Sequence, residues 1–417
     1  MHATRRKIFW RYAAFWLFLV MFKFGGSLHW SLITPLGEQL MPLWIVGVIM
    51  SACSVIQLLL DVPVGRLMDR FGYLLFLKIG TIVLLCTGAA LFFGLSLPTY
   101  FLSLIASVFG WLFFTPGVSA YVLSQAPKEE AGEFISLRDV FESVGVVLAS
   151  AVLPLVLLLH VPSIGLVITL PVLLGVGLLF LSPCEKRWNH VKEKKLETQH
   201  HYIRRQSFWK SLRSIGKLKP ASTMLLLLGF SSCAFYGAIW FVVPLVIAHQ
   251  ANAGLLGIGL GIFDFAIVVL GFLLGSLADR YNRRTLVFIG LLLFAIAGML
   301  IGLDFGWFFI LFGFLATSGD EMAEISLWSW LHALDREHAN DGVITGVISL
   351  FQDLGWAVGP LIAGILYALV GPSWTLTIAA VPILLVWVAF QFVMSRCGPA
   401  PICLGLPPKP HRRRHKS

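Results

Sequence analysis

Ten ionisable side chains stand inside long apolar segments of this sequence: Lys23, Asp61, Arg138, Asp139, Glu142, Asp264, Asp320, Glu321, Glu324 and Asp353. A charged side chain in hydrocarbon costs about 2.5 to 3.5 kcal/mol on insertion scales, so each needs a compensating role. Asp320 and Glu324 are four residues apart and share one helical face, with Glu321 beside them, which gives a concentrated acidic patch. Lys23 is the deep cation of the set, a natural partner for one of these acids and equally able to bind an anion.

Three kinds of chemistry fit this pattern. A desolvated carboxylate crowded by like charges can take up and release a proton, which makes the group a site for recognition and coupling. The acids can also attract a cationic solute, with Trp16, Trp240, Phe263, Trp328 or Trp330 stacking on it. In the third reading they form ion pairs that hold helices together, with Arg138, Asp139 and Glu142 facing the aqueous edge. No catalytic set is evident: the histidines lie mostly in loops and no nucleophile elbow occurs. The adjacent His200 and His201 have no Cys or carboxylate spacing to complete a metal site, and no Gly-x-x-x-x-Gly-Lys-Ser/Thr loop is present for ATP. The expectation is a non-enzyme without metal or cofactor, acting on a small-molecule substrate, with protons as candidate coupling partners.

These residues must be positioned by membrane-spanning elements. Of 417 residues, 58% are hydrophobic and 12% charged, more apolar surface than a water-soluble core can hide. Apolar runs near 20 residues recur along the chain, each long enough to cross the hydrocarbon. Helices are predicted at 9–34, 41–64, 74–96, 98–124, 134–159, 162–182, 221–249, 254–275, 285–303, 305–331, 342–369 and 374–395. The fold class is all-α and polytopic, with twelve transmembrane helices in two pseudo-symmetric six-helix bundles. The first segment follows Arg5, Arg6 and Lys7, but it is long, shows no small-residue cleavage site and leads straight into a second span, so it reads as a retained helix. Asp264 lies 11 residues before Gly275, about 16 Å from that edge and close to the midplane, and Asp353 is similarly deep.

Apart from Lys23, the Lys and Arg residues fall in the termini and in or beside the loops that follow even-numbered helices. Segments around Glu38, Pro98, Val161, Ala253, Asp304 and Pro372 carry none. Positive loops stay on the cytoplasmic side, which predicts a multi-pass protein of the plasma or inner membrane with both termini cytoplasmic. The same topology accounts for the net charge of +10 through anionic lipid rather than nucleic acid. Cys53, Cys86 and Cys233 lie in helices and Cys184, Cys397 and Cys403 on the cytoplasmic side, so no disulfide framework is implied.

A hydrophilic stretch divides the segments six and six. It sets out an N-terminal bundle at 1–182, a linker at 183–219, a C-terminal bundle at 220–396 and a basic tail at 397–417. After the second helix of the first half the chain reads Gly65-Arg66-Leu67-Met68-Asp69-Arg70-Phe71-Gly72; after the second helix of the other half it reads Gly275-Ser276-Leu277-Ala278-Asp279-Arg280-Tyr281-Asn282, 210 residues on. Ile135-Ser136-Leu137 and Ile348-Ser349-Leu350 give a second echo entering helices 5 and 11. Duplication at matching topological positions indicates a repeated six-helix unit. Gly65 and Gly275 admit a close helix approach, while Asp69 and Asp279 can accept hydrogen bonds from Arg or from free amides at a helix N-terminus.

The duplicated Gly-x-Leu-x-Asp-Arg-aromatic-Gly pattern resembles the signature loop of the major facilitator superfamily, whose twelve-helix architecture matches essentially the whole chain. The resemblance implies secondary transport by alternating access in a monomer, with helices 3, 6, 9 and 12 facing lipid. These have no charge in their interiors. It also implies a cytoplasmic latch built from Gly65, Asp69, Arg70, Gly275, Asp279 and Arg280, with Asp69 meeting helix 11 and Asp279 meeting helix 5. Gly355-x-x-x-Gly359-Pro360 with Gly364 is similar to the Gly-Pro motif of proton-driven antiporters, although the family carries it on helix 5, where this chain has Gly145, Ala149 and Pro154. Close helix packing with a proline kink explains the same residues. The acid-rich interior leans to export of cationic or amphipathic compounds. Uptake of a sugar, amino acid or organic anion, and a non-transporting sensor or scaffold, remain the alternatives.

Overall fold

The computed structural model describes residues 12–125, 131–181, 220–249, 253–303, 305–334 and 341–396, and all the long elements are helices. The first half holds α1 (Ala13–Glu38), α2 (Leu43–Phe71), α3 (Tyr73–Leu91), α4 (Leu97–Gln125), α5 (Ala131–Val156) and α6 (Val161–Leu181). The second holds α7 (Pro220–His249), α8 (Ala253–Arg280), α9 (Arg283–Leu300), α10 (Trp307–Leu334), α11 (Asp341–Ala379) and α12 (Val381–Arg396). The expected linker 183–219 and tail 397–417 lie outside the described residues.

Nine helical stretches among the described residues are long and apolar enough to cross a bilayer. The last of these, 350–393, is a run of 44 residues that can cross twice, because Gly371, with φ 77°, breaks α11 where the sequence predicts a turn. α8 contributes the shorter apolar stretch Gly254–Leu270, and α10 loses hydropathy to its acids. The architecture is that of twelve spans.

The packing repeats with a shift of six helices. In the first half α1 lies against α5 and α6, α3 against α4 and α6, and α2 against α4; in the second, α7 lies against α11 and α12, α9 against α10 and α12, and α8 against α10. The halves meet along two matching seams, α2 with α11 and α5 with α8, and α1 touches α7 on the pseudo-axis. The duplicated loop is also the same turn made in two ways. Gly72 ends α2 at φ 98°, a conformation open to glycine, whereas Asn282 in the second copy stays at φ −66° and caps α9 by accepting a hydrogen bond from the Arg284 amide.

One hydrophobic core runs through both halves. Leu32 and Leu36 of α1, Met50 of α2 and Leu153 of α5 join Val243 and Ile247 of α7 and Leu256 of α8. At the end away from the basic loops, a Cβ added to Gly47 would lie 2.6 Å from the Pro360 carbonyl oxygen, and one added to Gly257 would lie 2.6 Å from Pro154 Cγ. The two halves are therefore in backbone-level contact there. A second core, built on Phe18, Phe22, Phe114 and Tyr121, belongs to the first half alone.

Two expectations change. Lys78 sits in the second turn of α3, one of the helices expected to lack charge, and lies 4.5 Å from the Phe180 ring centroid on α6. At its position near the membrane edge a long ammonium side chain can reach the interface, so it need not face the interior. Gly65 has nothing within 4 Å of an added Cβ, so in this conformation no helix presses on it.

Candidate functional site

Between the halves lies a cavity of about 790 Å³, lined by residues of α1, α2, α4, α5, α7, α8, α10 and α11. α3, α6, α9 and α12 contribute no lining residue, matching the partition expected from the sequence. Lys23, Asp61, Asp264, Asp320, Glu321, Glu324 and Asp353 all line it, so residues up to 330 positions apart meet around one space.

The acidic wall is set by how α10 packs. Gly319 is so close to α9 that an added Cβ would lie 2.6 Å from the Gly290 carbonyl oxygen, and Ala323 fills the same face one turn on. With that face fixed against α9, residues 317, 320, 321 and 324 turn to the cavity at helical spacing. The Tyr236 hydroxyl on α7 donates to Asp320 Oδ2 at 2.9 Å, and Trp328 Nε1 donates to Glu324 Oε1 at 3.2 Å. Gly355 and Gly359 of α11 press on the Phe230 and Ala234 carbonyls of α7, and Pro360 abuts Gly237 as well as Gly47. Packing thus accounts for the Gly-Pro motif.

The opposite wall carries the cation. Lys23 Nζ on α1 pairs with Glu142 Oε2 on α5 at 2.8 Å and lies 4.8 Å from the Trp111 ring centroid. Its partner belongs to its own half. Arg138 completes this group: its Nη1 donates to Ser119 Oγ at 2.7 Å, its Nε to Asp139 Oδ1 at 2.9 Å, and its Nε lies 3.7 Å from Glu142 Oε1. Arg138, Asp139 and Glu142 form a network around Lys23 instead of simply facing the aqueous edge. A charge pair of this kind is matched within the protein, so Lys23 is not a free anion-binding group.

Polar groups also meet between the halves: His249 Nε2 on α7 lies 2.8 Å from Glu38 Oε2 on α1, Asp264 on α8 lies beside Ser143 on α5, and Asp61 on α2 lies beside Asp353 on α11.

Of the aromatics expected to stack on a solute, Trp240 and Phe263 line the cavity. Trp16 instead packs in the first-half core, stacked on Phe141 at 5.6 Å, and Trp328 is engaged with Glu324. The Trp330 side chain lies outside the described residues. Trp30, Trp111, Tyr236 and Trp356 line the cavity without having been singled out in the sequence; helical phase relative to Lys23 and Asp353 was an available signal for Trp30 and Trp356, while Trp111 and Tyr236 share no helix with these charges. In the latch, Arg70 lies over Phe71 at 5.3 Å, whereas the side chains of Asp69, Asp279 and Arg280 and the surroundings of Gly275 lie outside the described residues.

A chain of twelve helices in two repeated halves around a midplane cavity has the form of a membrane carrier. The sequence matches the Major Facilitator Superfamily over residues 8–245 and 225–415, and the chain belongs to that superfamily of transporters. Solved structures share its fold. A POT family transporter in complex with 5-aminolevulinic acid aligns with TM-score 0.71 at 12% identity over 93% of this chain and 96% of its own. A D-xylose-proton symporter aligns with TM-score 0.69 at 16% identity over 96% and 99%. A bacterial homolog to the human lysosomal transporter Spinster, inward-facing and unoccupied, aligns with TM-score 0.70 at 13% identity over 93% and 96%. No curated protein sequence matches the chain.

Proposed function

We propose that this protein is a secondary carrier that exports a small cationic or amphipathic solute across the plasma or inner membrane by alternating access, with proton exchange at its buried carboxyl groups as the driving reaction. The observation that carries the reading is the cavity itself. Five carboxyl groups of the second half, Asp264, Asp320, Glu321, Glu324 and Asp353, face a space whose one lining cation, Lys23, is committed to Glu142. Such a wall attracts positive charge, and Trp240, Phe263 and Trp356 offer faces for it. An organic anion would meet the same acids with no free cation among the lining residues to hold it.

The units 1–182 and 220–396, joined by 183–219, act as the two moving bodies of a monomer. The distribution of Lys and Arg supports cytoplasmic termini and linker, and the open space around Gly65 at the basic end supports a cavity that opens inward. The latch residues Asp69, Arg70, Asp279 and Arg280 then engage in the opposite, outward-open state.

Counterflow in liposomes tests the proposal. Labelled tetraphenylphosphonium or a labelled aromatic amine should exchange through the wild-type protein, and Asp320→Asn or Asp264→Asn should reduce exchange by about tenfold or more. Exchange of a sugar or an organic anion in place of the cations sinks the cationic assignment. A folded protein with no flux for any solute class marks a sensor or scaffold.

A further inference from the structure

Within the acidic wall the carboxylate oxygens are not equivalent. Asp320 is 5% exposed, its Oδ2 accepts from Tyr236 at 2.9 Å, and its Oδ1 has no donor. Among the described residues it is the one fully buried carboxylate oxygen left in this condition. Beside it, Glu324 accepts from Trp328, and Lys23 is paired with Glu142. A buried acceptor without a donor is unfavourable, and more so when charged.

We propose that Asp320 Oδ1 is the docking atom for the solute and that it takes an N–H donor, so the carrier selects protonated amines over quaternary ammonium ions. This rests on the cationic reading given above and narrows it. A quaternary ammonium carries the same charge but presents only methyl groups, and aromatic faces suit it as well as they suit an amine. An oxygen buried beside a fixed hydroxyl rewards a directed hydrogen bond instead. Discrimination by a missing donor is stronger than discrimination by size, because the wrong ligand leaves the protein's own acceptor unpaired.

Tyr236 is a positioning residue in this arrangement. Its hydroxyl holds one oxygen of Asp320 and thereby orients the other. Its ring is held in turn, near-parallel to Phe294 at 6.2 Å and edge-on to Phe263 at 6.1 Å. The close contact of Gly319 with α9 fixes the backbone under the carboxylate. The atom that would meet the ligand is therefore supported from α7, α8 and α9.

The test uses the full chain in nanodiscs and two probes that differ by one methyl group: N,N-dimethyl-2-phenylethylamine, protonated at neutral pH, and its trimethylammonium counterpart. Affinities are read from tryptophan fluorescence and checked by thermal shift. The wild type should bind the amine about tenfold more tightly, as expected for one charge-assisted hydrogen bond. Asp320→Asn should bring the two probes within about twofold, while Asp320→Glu should recover part of the preference. Tyr236→Phe should weaken amine binding about fivefold and keep the ranking, the signature of positioning rather than contact. Equal affinities for the wild type, an undiminished preference in a folded Asp320→Asn, or binding of neither probe overturns the proposal. Cation flux with equal probe affinities removes the N–H rule and leaves the carrier reading intact; flux restricted to anions or sugars removes both.

Discussion

At the end away from the basic loops, each seam between the halves closes on a glycine. Gly47 of α2 meets Pro360 of α11, and Gly257 of α8, 210 residues further on, meets Pro154 of α5. Towards the basic end the likeness stops. Across α2 and α11, two acids, Asp61 and Asp353, face each other. Across α5 and α8, Asp264 faces Ser143, beside the Lys23–Glu142 pair and Arg138. The difference teaches that the duplication preserved backbone geometry while charge diverged. Close approach of two helices is decided by small side chains at the contact and is inherited with the helix pair. Charge at the same seam is constrained only by what it faces, and the two faces of this cavity differ.

The comparison breaks most visibly if the outer contacts are not mechanical twins. Gly47→Leu places a side chain where an added Cβ is already 2.6 Å from the Pro360 carbonyl oxygen, and Gly257→Leu does the same against Pro154. Overpacking of about 1–3 kcal/mol is enough to shift the carrier out of the outer-closed state, so counterflow should fall by about tenfold or more in both variants. Spin labels at Leu97 and Leu303, exposed at the outer ends of the two halves, should move apart. Flux within about twofold of wild type in one variant and not the other would show that the seams do not share a mechanical role.

A smaller effect sharpens the chemical difference. Lys23→Met leaves Glu142 without its main partner and should destabilise the protein by about 3 kcal/mol, read as a lower melting temperature in detergent. The Lys23→Met/Glu142→Gln double variant should recover most of the loss.

Much of the fold was legible because its signals are local. Apolar run length fixes the spans, glycine ends them at Gly72 and Gly371, and the repeated loop marks the duplication. The acidic patch on α10 was legible for the same reason, since residues four apart share a face whatever surrounds the helix. Partners were not legible. Lys23 could have served any acid in the set, and its choice of Glu142 depends on the rotation of α1 and α5 about their axes. Tyr236 gave no sign of its bond to Asp320, which spans 84 positions.

The sequence by itself determined a twelve-span, two-fold repeated membrane protein with acids inside it, because hydrophobic length and periodicity act within a segment. Only the tertiary structure decided which acid pairs with Lys23, which accept hydrogen bonds from rings and which keep a buried oxygen without a donor. Those outcomes depend on distances of a few ångströms between helices far apart in the chain, set by how glycines, prolines and rings let the helices pack.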